Sequence, residues 1–147
     1  MARDLAATWE LLTAVTRARQ QLASARPLIW EKARLPTSEH TLIIKASAAG
    51  ERWSHTNNDS DQIVMRVSLE TLLKDGRRLA SCLDIVASPR NWTTQPYIML
   101  GDGVQRLIWE GKASEQEDPA SFAESVDSAA RSLLDATMKL DFGEIDE

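Results

Sequence analysis

The apolar residues of this chain change their period twice, and that restricts the fold more than any other feature. Between residues 3 and 25, Leu5, Trp9, Leu12, Val15 and Leu22 recur at the spacing of one helix face. Between 119 and 140, Phe122, Val126, Ala129, Leu133 and Leu140 do the same. In the stretch 40–113 the spacing falls to two, β-branched residues gather and turn residues punctuate them. Two amphipathic helices at the ends must bury their stripes on what lies between. The pattern predicts an α+β fold: a single antiparallel β-sheet flanked by N-terminal and C-terminal amphipathic helices. A chain of 147 residues suits one domain, expected over 1–140, followed by an acidic, frayed tail at 141–147.

Local signals refine this. Pro27 should end or kink the first helix. Residues 28–35 read equally as helix or strand. Ile63, Met65, Val67 and Leu69 alternate as a half-buried strand. Ser68 as an N-cap, leucines at 69, 72 and 73, and Gly76 as a C-cap predict a short helical insertion near 69–76. Residues 79–87 lean towards strand. Gly101-Asp102-Gly103 between Tyr97–Leu100 and Val104–Trp109 is a strong hairpin signal, because glycine takes the positive φ of the turn. Residues 112–118 read as a polar linker. This element order resembles that of secretion-chaperone-like folds and of cone-shaped cystatin-like sheets, a similarity of layout without a shared motif.

Charge is sorted along the chain. Residues 1–35 carry six basic and three acidic side chains, residues 36–113 nine of each, and residues 114–147 two basic and ten acidic. The acidic third is expected to steer a cationic partner and to repel phosphate, so no direct nucleic-acid ligand is expected. No stretch approaches the roughly 20 apolar residues of a membrane span, and no apolar leader opens the chain, which sets a cytoplasmic expectation. Cys82 is the single cysteine and sits among Leu79, Leu83 and Ile85, as a core thiol would.

Catalytic and metal motifs are incomplete. Asn57, Asp59 and Asp61 start like a calcium loop, but Gln62 stands where the glycine belongs and Ser68 where the bidentate glutamate belongs. His40 and His55 are the only histidines; a hydrolytic zinc site usually needs three protein ligands, which His55, Asp59 and Asp61 would supply only if their loop folded back. Asp141-Phe142-Gly143 matches a kinase triplet without the loops that give it meaning. No metal and no cofactor are expected.

Five tryptophans against two phenylalanines and one tyrosine is a bias. Trp9 and Trp109 are expected in the core. Trp53 beside Arg52, and Trp92 beside Arg90, have the composition of interface anchors. The function expected is a non-catalytic protein-binding module, an immunity-type inhibitor or a chaperone. A basic protein partner would meet Trp53, Trp92, Arg90, Glu115, Glu117, Asp118, Asp127 and Asp135. Two other classes stay open. One is an enzyme on a cone-shaped sheet, with His55, Asp84 and Tyr97 as acid–base groups. The other is a homo-oligomer in which the basic N-terminal helix of one copy meets the acidic C-terminal helix of the next.

Overall fold

The computed structural model describes residues 2–47, 62–87, 92–102, 104–116 and 119–142. Helix α1 spans Ala2–Ala23 and α2 spans Ala25–Ala33; six strands follow, β1 Thr37–Ser47, β2 Gln62–Leu72, β3 Arg78–Ala87, β4 Trp92–Asp102, β5 Val104–Glu110 and β6 Ser114–Gln116; α3 Pro119–Lys139 closes the fold. The strands form one antiparallel meander in the order β1-β2-β3-β4-β5, and β6 pairs with β4 beyond the end of β5. The α+β reading is correct.

Helix α3 lies over β3 and β4, and α1 packs along α3 and β2, all on one face of the sheet. Phe122, Val126, Ala130 and Leu133 of α3 are buried against Leu83, Ile85 and Ile98. Two hydroxyl pairs tie α3 to the strands: Ser81 with Thr137 at 2.7 Å and Thr94 with Ser125 at 2.9 Å. Such pairs satisfy polar groups that would otherwise be costly beneath a helix.

Residues 25–33 resolve as helix. Pro27 sits in the first turn of α2, where its missing N–H would have bonded Ala23; the helix breaks at Ser24 and restarts. Arg34 ends α2 in the left-handed conformation (φ 59°), with its N–H on the Trp30 carbonyl at 2.9 Å.

Two local expectations need correction. The helical insertion at 69–76 is absent: β2 runs to Leu72, and residues 73–77 form a hairpin turn. Ladders on both sides, Thr71 to Thr37 and Thr71 to Leu79, hold the segment extended and override its local helical tendency. Gly76 takes φ 91° in that turn, so it serves a hairpin and not a helix end. The linker at 112–118 contains strand β6, paired to Trp92, Thr93 and Thr94.

The gap between β5 and β6 has a cause in β4. The Pro96 carbonyl accepts from Gly111 N at 2.9 Å, so that edge of Pro96 faces β5 and β6. The N and carbonyl of one strand residue point to the same edge, so the missing N–H of Pro96 interrupts the ladder there. The neighbouring chain leaves at Gly111 and rejoins at Ser114. Gln95 Nε2 fills the break by donating to Gly111 O at 2.7 Å. A Cβ on Gly111 would stand 2.7 Å from both Pro96 Cγ and Trp109 Cη2, which reserves the position for glycine.

Both edge strands are irregular. The β1–β2 register shifts between Thr41 and Ile43, and the β4–β5 register shifts between Ile98 and Met99. Bulges at sheet edges discourage pairing with other strands.

Candidate partner-binding surface

Helix α1 carries two apolar stripes, and only one is in the core. Ala14, Val15, Ala18 and Leu22 are buried. Trp9 is 70% exposed and Leu12 52% exposed. On an ideal helix of 3.6 residues per turn, Trp9 lies about 180° and Leu12 about 120° from Ala18. The expectation that both enter the core is therefore wrong, and the physical reason is contact distance. Ala14 and Ala18 let α1 approach α3 closely, and that approach fixes the face turned inward. Helix α2 repeats the arrangement, with Ile29 buried and Leu28 and Trp30 about half exposed.

The residues expected at the interface are not gathered in one patch. Trp92 opens β4 and is half-buried, with its ring 4.7 Å from that of Phe122 at 65°. It closes the edge of the core. Asp127 pairs with Arg17 of α1 at 3.2 Å, and Asp135 pairs with Lys139 one turn on at 2.9 Å. Glu115 is exposed on β6. Trp53, Arg90, Glu117 and Asp118 lie outside the described residues, as does His55. The outer face of α3 is mixed in charge: Glu124 and Asp135 alternate there with Arg131 and Lys139.

The other face of the sheet, away from the helices, holds a buried polar cluster. Arg66 on β2 and Asp84 on β3 are cross-strand partners, and Asp84 is 2% exposed. Arg66 donates Nε to Oδ1 at 2.7 Å and a terminal N–H to Oδ2 at 3.0 Å. Tyr97 on β4 donates its hydroxyl to the same carboxylate at 3.1 Å, and its ring lies 5.7 Å beneath the guanidinium. The hydrogen bond to Asp84 holds the Arg66 guanidinium well above its ordinary range. Burial raises the Tyr97 phenol strongly and pushes the Cys82 thiol up to about 12. The structure thus unites Asp84 and Tyr97, two of the three acid–base candidates. It does so as a closed set: both carboxylate oxygens are engaged by the fork of Arg66, the phenol stays protonated, and the thiol stays a thiol. A general base needs an accessible lone pair, and a nucleophilic cysteine needs a thiolate. The arrangement links β2, β3 and β4 across this face of the sheet.

Among the described residues, no group of three or more His, Cys, Asp or Glu is placed to hold a metal ion. Among them, no helix is long and apolar enough to cross a membrane.

No family model, no curated protein and no solved structure matches this chain.

Proposed function

We propose that this chain is a non-catalytic protein-binding module, an inhibitor or chaperone for a basic protein partner, with the outward stripe of α1 as its apolar anchor. The observation that carries the reading is Trp9, a large aromatic 70% exposed on a regular helix and turned away from the core. Tryptophan dominates the energetics of protein interfaces, and an amphipathic helix face is a common docking element. The excess of acid in residues 114–147 supplies the long-range attraction for a cationic partner. The closed state of the Arg66–Asp84–Tyr97 cluster favours this reading over the enzymatic one. The Arg17–Asp127 pair weakens the case for assembly, because basic and acidic helices already meet within one chain.

The test is a paired capture. The native chain and a Trp9→Ala/Leu12→Ala variant are used as baits in extracts of the source cell, and the retained proteins are compared by mass spectrometry. The reading requires a basic protein that the native bait holds, the variant loses and raised salt releases. Identical retained sets from the two baits would contradict it.

A further inference from the structure

An antiparallel sheet with one face on the core should be polar at the outward positions of the other face. At the end of the sheet nearest the β2–β3 turn, this chain departs from that rule. Leu69, Leu79 and Leu100 are buried in the core there, so their immediate neighbours in each strand point outward. Ala80 pairs with Met99, and Met99 with Leu107, in one row across three strands; Leu72 stands in the adjoining row, opposite Arg78. Leu72 is 40% and Leu107 47% exposed, and Ala80 and Met99 are partly exposed. Two charges accompany them: Glu70, opposite Ala80, accepts from a terminal N–H of Arg78 at 3.2 Å. We propose that this patch is the contact face of a weak two-fold homodimer.

Charge selects a second copy as the occupant. Glu70 and Arg78 cancel, so the patch does not attract a partner of either sign. A surface that holds both members of an ion pair is complementary to itself. About a two-fold axis, Arg78 of each copy meets Glu70 of the other, and the apolar rows meet one another. The two side chains are 60% and 28% exposed, and a pair so exposed exchanges partners at little cost. Size sets the strength. From Leu72 on β2 to Leu107 on β5 there are three strand spacings, about 14 Å. A patch of that width falls short of the roughly 800 Å² per partner of a stable interface, so the dimer forms only at high concentration. The contact lies on the side of the sheet opposite α1. It leaves Trp9 and Leu12 exposed and does not depend on the protein-binding reading of that helix.

The experiment is sedimentation equilibrium of the full chain at concentrations from micromolar to millimolar. The average mass of the native chain should rise from that of one chain towards that of two. Leu72→Asp with Leu107→Asp should hold it at one chain throughout, with the native circular dichroism spectrum retained. Leu28→Asp, at a position 46% exposed on α2, should leave the dimer unchanged. Arg78→Glu alone and Glu70→Arg alone should each weaken association by about ten-fold or more, because like charges then face one another across the axis. An equimolar mixture of those two variants should associate as the native chain does, since each offers the other the opposite sign. The proposal is overturned if the native chain stays at the mass of one chain or grows beyond two. It is also overturned if Leu28→Asp weakens the dimer as much as the double variant, or if mixing the two charge variants gives no more dimer than either alone.

Discussion

Arg17 and Asp127 are 110 residues apart in the chain and 3.2 Å apart in the fold. Their pair crosses from the basic N-terminal helix to the acidic C-terminal one and lies beside the close contact of α1 with α3. Both side chains are partly exposed, at 44% and 28%, so the pair is screened. A double-mutant cycle with Arg17→Ala and Asp127→Ala should give a coupling of about 0.2–1 kcal/mol in urea unfolding, and the coupling should shrink in 1 M salt, where the screening length is about 3 Å. A coupling that salt leaves untouched would mean the two groups are held by packing.

Helix α1 should respond to mutation according to face. Trp9→Ala and Leu12→Ala remove side chains that are largely in water, and each should change stability by less than about 0.5 kcal/mol. Leu22→Ala, on the inward face of α1, empties a buried site and should cost about 2–5 kcal/mol. Urea unfolding of the three variants checks the orientation of α1. A large loss from Trp9→Ala would place that ring in the core.

The cluster on the opposite face should be sensitive to losing one member. Arg66→Ala leaves the buried Asp84 carboxylate without its cation and should destabilise by about 3–5 kcal/mol. Tyr97→Phe removes one donor to a charged acceptor and should cost about 1.5–3 kcal/mol. If Arg66→Ala is neutral in thermal unfolding, the pair contributes nothing to the sheet.

Cys82 should make the fold sensitive to alkali. Its thiol titrates at about 12 when folded, against an ordinary value of 9.0, because burial disfavours the thiolate. Below pH 9 both states keep the proton and the full contribution is present. Above it the unfolded chain loses its proton first, so stability falls, by at most about 1.4 kcal/mol per pH unit, until the folded thiol also titrates. Tyr97 is shifted in the same direction, and its contribution begins to be lost near its ordinary value of 10. Cys82→Ala should therefore flatten the stability curve between pH 9 and 10 specifically. An unchanged slope there would show that the thiol is not desolvated.

Much of the sheet was legible because antiparallel hairpins are local. The antiparallel pairing of β4 with β5 and the alternation of Ile63, Met65, Val67 and Leu69 each follow from neighbours in sequence. The β2–β3 hairpin was misread as a helical turn, although Asp75-Gly76 lies between two alternating runs and a turn centred there sets Arg66 opposite Asp84. Leucines at helical spacing masked that signal, and the ladders to β1 and β3 decided the outcome. The orientation of α1 was not legible. Its two apolar stripes are equivalent until α3 is present, and the alanines that win do so by allowing close approach, which hydrophobicity does not measure. Break and return between β5 and β6 follow from Pro96, whose consequence depends on which edge its nitrogen faces.

The outward face of α1 as a protein-docking surface is tested most directly by placing a photo-crosslinking benzophenone side chain at position 9 in the living source cell, with the same group at the exposed position 131 on α3 as control. Irradiation should give one discrete adduct, with a basic protein, from position 9 and not from position 131. No adduct from position 9, or the same adducts from both positions, would contradict the account.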